Sequence, residues 1–164
     1  MPPHPDPLQA LLDPVPTRAF LDATWGRASL YVAGSPAKAQ ALEAGSLEPG
    51  PSALDGLVRS LCEQVARPGR AGGEFLLSSD EEGSWWQQVG RHTFVVQLEG
   101  SKCWQFGVQP GGAPPVGAGL REELLAAGDV LYLPPGCWWR TFPLERSCAL
   151  TVSLDPTGGT ALPC

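Results

Sequence analysis

Residues 128–142, GDVLYLPPGCWWRTF, decide the fold prediction. The Gly-Asp pair predicts a turn, and the apolar run VLYL after it predicts a short buried strand. The Pro-Pro-Gly sequence predicts a corner, because proline cannot donate to a ladder and glycine accepts tight backbone conformations. CWWRTF, at 137–142, predicts a second strand. The stretch therefore predicts two short strands that meet at a sharp corner.

A hydrophobic period of two, typical of strands, extends over the whole second half of the chain. The predicted strands are 74–78, 93–100, 102–108, 129–134, 137–142 and 147–154. Gly100-Ser101 predicts a tight hairpin between the second and third of them. Residues 109–119, QPGGAPPVGAG, predict a loop without regular structure.

The first part of the chain has helical spacing instead. Helices are predicted around Leu8–Leu12, after Thr17, from Ser35 to about residue 47 and at 52–66, and a first strand at 29–34. Two or three helices followed by a strand-rich barrel make an α+β fold with a double-stranded β-helix as its body. We expect one domain over 1–164, helical at about 8–70 and a barrel at about 74–156.

Composition excludes several classes of function. The 18 Pro and 20 Gly residues are too many for a helical bundle and fit short strands joined by turns. A net charge of −6 argues against nucleic acid or an anionic membrane as a partner. No apolar run is long enough to span a bilayer, and the N-terminus lacks the pattern of a signal peptide. We therefore expect a cytoplasmic protein; its oligomeric state is not predicted.

Motifs of common catalytic sites are absent from the sequence. The five cysteines include no C-x-x-C pair, so we expect reduced, mostly buried thiols rather than a zinc ribbon or a redox motif. Neither a G-x-S-x-G elbow nor a glycine-rich phosphate loop occurs. The chain has two histidines, His4 in a proline-rich N-terminal stretch and His92 at the start of a predicted strand.

Three stretches together resemble a known family. HTFVVQLEGSKCWQF (92–106), AAGDVLYLPPGCWW (126–139) and CALTVSL (148–154) are similar to the cupin-like JmjC group. This group contains non-haem iron, 2-oxoglutarate-dependent oxygenases, among them the bacterial ribosomal oxygenases. Residues 11–34 resemble the group's opening helix and first strand. The resemblance spans roughly residues 10–156 and implies a cupin (jelly-roll) barrel.

The resemblance also implies where an iron site would lie. Such enzymes hold Fe(II) with two histidines and one carboxylate. Counting from the family's motifs places these ligands at Gln87, Val89 and Trp139. None of these residue types supplies an imidazole or a carboxylate, so no metal and no cofactor is predicted, although the family uses Fe(II) and 2-oxoglutarate.

Two cations are candidates for binding an anion. By resemblance, Lys102 matches the hairpin lysine that pairs with the distal carboxylate of 2-oxoglutarate; a surface lysine in a hairpin is the alternative. Arg140, next to the tryptophan pair, is a candidate for holding an anionic group or for stacking on an indole.

The tryptophans have two interpretations, core packing or an aromatic-lined cleft. The residues that would line such a cleft are Trp85, Trp86, His92, Trp104, Cys137 and Trp138. A different metal site, of His92 with Cys103 or Cys137 and a carboxylate, would suit zinc or copper. A nucleophilic pair of Cys137 and His92 also stays open.

Two functions follow from these observations. The first is a JmjC-fold protein without the iron triad, acting as a binding or accessory module or a pseudoenzyme for a small molecule or a peptide. The alternative is an enzyme on the same fold, metal-independent or with an unconventional metal site, that modifies a peptide or a small molecule.

Overall fold

The computed structural model describes residues 7–44, 72–80, 83–109 and 111–155. Its helices are α1 (Pro7–Leu12), α2 (Thr17–Ala23) and α3 (Pro36–Ala44), with a 3₁₀ turn at Gly117–Gly119. They confirm the helices predicted in this part of the chain. The helix predicted at 52–66 lies outside the described residues. Within the described residues no helix has the length and apolar character needed to cross a membrane.

The strands form two antiparallel sheets. They are β1 (Leu30–Val32), β2 (Gly72–Asp80), β3 (Gln87–Gln88), β4 (His92–Glu99), β5 (Lys102–Gly107), β6 (Arg121–Leu125), β7 (Val130–Leu133), β8 (Trp138–Pro143) and β9 (Ser147–Asp155). One sheet has the order β1-β7-β4-β9-β2, and the other has the order β3-β8-β5-β6. This arrangement is the double-stranded β-helix that the sequence predicts.

The hairpin predicted at Gly100-Ser101 is wrong. β4 pairs with β7 and β9, whereas β5 pairs with β6 and β8, so the chain passes here from one sheet to the other. Gly100 has φ +64, and a Cβ there would lie 2.2 Å from the carbonyl oxygen of Arg146. Turn residues predict that the chain changes direction, but they carry no information about which strand pairs with which.

Alternation along the five-stranded sheet divides the core in two, because successive side chains of a strand point to opposite faces. Phe94, Val96, Tyr132 and Val152 pack with Phe20 and the leucines of α1 on the helical side. The opposite face packs against the four-stranded sheet, with Val95, Leu131 and Leu133 meeting Trp104 and Phe106. The space between the two sheets is the interior of the barrel.

Asp129 joins the helical part to the barrel. Its carboxylate accepts hydrogen bonds from the Tyr31 hydroxyl (3.0 Å) and from the backbone N–H groups of Gly34 (2.7 Å) and Ala126 (2.9 Å). The backbone around Gly34 also touches the turn at Gly128, since a Cβ on Gly34 would lie 1.8 Å from the Gly128 carbonyl oxygen. The turn that begins the GDVLYLPPG stretch is therefore held against the chain that leads into α3.

Candidate functional site

A cavity of about 310 Å³ lies between the two sheets, and we call it the barrel cavity. Strands of both sheets and the segment that joins β3 to β4 contribute side chains to it. The lining residues are Gln88, Val89, Gly90, Arg91, Thr93, Val95, Trp104, Leu133, Trp139, Thr151 and Ser153.

The three positions that the resemblance assigns to iron ligands meet beside the Pro-Pro-Gly corner. Gln87 lies opposite Trp139 in the β3–β8 ladder. The N–H of Val89 donates to the carbonyl of Cys137 (2.8 Å), and its carbonyl accepts from the N–H of Gly136 (2.7 Å). Val89 and Trp139 line the barrel cavity. Gln87 is exposed and is absent from the described lining of the barrel cavity, whereas its neighbour Gln88 is part of that lining.

These residues do not fit an Fe(II) ion. A valine side chain has no donor atom, and the indole of Trp139 offers an N–H donor rather than a lone pair. Among the residues that the structure describes, no three His, Cys, Asp or Glu side chains lie close enough together to hold a metal. The Trp139 ring stacks on Trp104 instead, with ring centroids 5.0 Å apart and an interplanar angle of 28°.

Lys102 is buried, with 2% of its surface exposed, so the alternative of a surface lysine is wrong. By strand alternation it shares the interior face of β5 with Trp104 and Phe106. It is absent from the described lining of the barrel cavity. The structure therefore places Lys102 in the barrel but does not bring it to the cavity wall.

Arg140 lies on the outer face of β8, because the side chain before it, Trp139, points inward. Its Nε donates to Oε1 of Gln105 (2.8 Å). The guanidinium stacks on Trp86 and Phe142, 4.6 and 4.9 Å from the ring centroids. The stacking role predicted for this arginine is thus the observed one, and Arg140 is absent from the described lining of the barrel cavity.

Of the six predicted cleft residues, Trp104 lines the barrel cavity. Trp86 stacks with Arg140 on the outer face, and Trp138 shares that face by alternation. Trp85 is 91% exposed, because it lies in the segment that precedes β3 rather than in a strand. These three tryptophans are therefore not part of the cavity wall.

His92 and Cys137 lie in different cores. His92 stacks on Trp25 at 3.8 Å, on the helical side, and its Nδ1 lies 2.7 Å from the Tyr132 hydroxyl. Cys137 is fully buried between the sheets, where burial raises the pKa of its thiol to about 11 and its Sγ donates to the Gly107 carbonyl (3.5 Å). Such a thiol is a poor nucleophile at neutral pH. The structure does not assemble the Cys–His pair or the His–Cys metal site.

Sequence reasoning missed a row of hydroxyl groups inside the barrel. Thr93 pairs with Ser153 in the β4–β9 ladder, and their Oγ atoms lie 3.3 Å apart. Thr151 lies two residues before Ser153 on the same face and also lines the cavity. Polar residues that alternate with apolar ones normally predict a solvent-facing side, which is why the row gave no signal of a site.

Comparison with known proteins supports the fold. The family model of the JmjC domain matches residues 83–162. The structure of YcfD, a ribosomal oxygenase from Escherichia coli, in complex with cobalt and succinic acid superposes with a TM-score of 0.62 at 18% identity, covering 87% of this chain and 52% of that one. The complex of YcfD with cobalt and 2-oxoglutarate gives 0.60 at 17% identity, with the same coverage.

A third structure of Escherichia coli YcfD gives a TM-score of 0.60 at 17% identity and covers 89% of this chain and 53% of that one. The chain thus spans about half the length of these oxygenases. No curated protein matches the sequence. At these identities the likeness establishes the fold, and chemistry has to be argued from the site itself.

Proposed function

We propose that this chain, a protein of the JmjC-like cupin group, is a pseudoenzyme that acts as a binding or accessory module. Its barrel cavity would take a small molecule or part of a peptide without iron chemistry. The proposal is supported chiefly by the side chains at the positions that the resemblance assigns to iron ligands, which are Gln87, Val89 and Trp139.

Two features of these positions weigh against iron, namely the donor atoms of the side chains and the space beside them. A facial triad for Fe(II) needs two imidazoles and one carboxylate with open positions beside them. Here an isopropyl group and an indole line the same wall, and the indole packs against Trp104. Apolar and aromatic packing stabilises this part of the barrel, where metal–ligand bonds would do so in an iron enzyme.

What remains after the loss of the triad is still a usable binding site. Small-molecule sites are concave, mostly apolar and carry a few polar groups, and their volumes begin at roughly 300 Å³. A cavity of about 310 Å³ with apolar, hydroxyl and amide side chains meets this description at its lower limit. The residues that line the barrel cavity are therefore sufficient for a binding role.

The proposal predicts no turnover of 2-oxoglutarate. Purified protein incubated with Fe(II), ascorbate, oxygen and 2-oxoglutarate should form no more succinate than the same mixture with a chelator. An active 2-oxoglutarate oxygenase in the same mixture is the positive control. Succinate formation that depends on both protein and metal would overturn the pseudoenzyme proposal in favour of an enzyme with an unconventional metal site.

A further inference from the structure

We infer that the protein forms a two-fold symmetric dimer through the face of the four-stranded sheet that is turned away from the barrel cavity. We call this face the outer sheet face. By strand alternation β8, β5 and β6 turn every second side chain towards it. These residues are Trp138, Arg140 and Phe142 of β8, Cys103 and Gln105 of β5, and Glu122 and Leu124 of β6.

An apolar row crosses the outer sheet face at Cys103. The registers of the two ladders put Leu124 on one side of this cysteine and Phe142 on the other. Leu124 is 52% exposed and Phe142 is 39% exposed. The solvated face of an antiparallel sheet normally carries polar side chains, and neighbouring exposed apolar groups mark interaction sites. The row therefore indicates a surface that another protein chain covers.

A charged row lies next to the apolar one, two residues further along each strand. In it, Gln105 stands between Glu122 and Arg140. The Gln105 side chain accepts from Nε of Arg140 (2.8 Å) and donates to Glu122 (2.5 Å). Among the residues that the structure describes, no hydrogen bond uses the Nη groups of Arg140. Glu122 is exposed, so a positive and a negative group flank β5 with hydrogen-bonding capacity left.

The two rows are complementary to themselves. A two-fold axis along β5 brings β8 of each copy over β6 of the other, so that Arg140 faces Glu122 of the second copy and Phe142 faces its Leu124. Sheets that pack face to face keep their strands within about 30° of each other, which this axis allows. An axis across the strands would instead set Arg140 against Arg140 and Glu122 against Glu122, which repel. The charged row therefore selects the axis along β5 and a second copy of this chain as the partner.

The extent of the outer sheet face sets the strength of the dimer. Its three strands are five or six residues long. Such strands measure roughly 20 Å, and three of them side by side measure roughly 15 Å across. An interface of this size belongs to the class below roughly 1,200 Å² in total, in which association is weak and reversible. The dimer should therefore dissociate on dilution.

The test reverses each charge and follows association by sedimentation equilibrium. The wild type should shift from monomer to dimer between about 10 µM and about 1 mM protein. Arg140→Glu and Glu122→Arg each set like charges against each other twice in a dimer, so each variant should associate at least about tenfold more weakly. An equimolar mixture of the two variants should recover the dimer, because the acidic face of one variant then meets the basic face of the other.

Two further variants serve as controls. Leu124→Ser changes an exposed side chain of the apolar row and should also weaken the dimer. Arg18→Glu reverses a charge on α2, where the side chain is 95% exposed, and should leave association unchanged. Cooperative urea unfolding of each variant shows that it is folded.

Three results would overturn the inference. They are a wild type that stays monomeric over the whole concentration range, wild-type association that neither Glu122→Arg nor Leu124→Ser weakens, and a mixture of the charge variants that associates no better than each variant alone. None of these measurements involves a metal or 2-oxoglutarate, so their outcome is independent of the succinate assay that tests the proposed function.

Discussion

At the scale of single residues, two tyrosines connect the helical part to the barrel. Tyr132 is fully buried, and its hydroxyl accepts the N–H of Gly26 at 2.9 Å. Burial raises the pKa of Tyr132 to about 12. Burial, followed by the hydrogen bond to Asp129, raises the pKa of Tyr31 to about 12 as well. Both folded environments thus favour the neutral phenol.

These shifts predict how stability depends on alkaline pH. Because both folded pKa values lie above the ordinary value of 10.0, the two phenols contribute stability that is fully present below pH 10 and is lost as pH rises towards 12. The chain has two tyrosines, so phenolate absorbance reports on them alone. At pH 10.5 native protein should show little phenolate absorbance, whereas in protein unfolded in urea most of the tyrosine should be ionised. Tyr31→Phe should halve the absorbance change of the unfolded protein. A native midpoint near pH 10 for either tyrosine would contradict the described burial.

At the scale of elements, alternation identified the long strands but not their partners. β4, β7, β8 and β9 lie where the sequence predicts strands, because each contributes side chains to an apolar core, and β4, β7 and β9 contribute to both cores. β6 was missed: its sequence, REELL, is charged at three of five positions and lies at the edge of its sheet. β3 was missed because it is two glutamines long and exposed. Edge strands have few buried side chains, so their sequences carry little periodic signal.

The close contact between the Gly128 turn and the chain at Ser35 gives a prediction at this scale. Gly128 and Gly111 both have φ +95, a conformation that strains any other residue. A Cβ on Gly128 would lie 1.9 Å from the Ser35 carbonyl oxygen, whereas a Cβ on Gly111 would meet nothing within 4 Å. Gly128→Ala should therefore lower the free energy of unfolding by about 1–3 kcal/mol more than Gly111→Ala does. Urea unfolding of both variants measures this difference; equal losses would show that the turn does not press on the chain before α3.

At the scale of the whole molecule, the resemblance predicted the barrel, and the structure shows which side chains line its cavity. The ladder between β3 and β8 and the hydrogen bonds of Val89 to the corner bring Gln87, Val89 and Trp139 together. Their correspondence to the iron ligands stays a prediction from the resemblance. The hydroxyl row and Arg91 were not foreseen, since their approach to the two indoles depends on how the sheets face each other. Spacing within one strand does not contain that information.

We propose that the barrel keeps the site region of the JmjC-like group while the positions assigned to its three iron ligands hold residues that cannot bind iron. Cobalt titration of the wild type and of the triple variant Gln87→His, Val89→Asp, Trp139→His tests it most directly. Replacing Trp139 is expected to cost about 2–4 kcal/mol, so the variant must first show cooperative unfolding. We predict that the wild type gains no d–d absorption, whereas the folded variant binds about one cobalt ion per chain at the rebuilt triad. A wild-type protein that holds one metal ion tightly per chain, or a folded variant that binds none, would contradict the account.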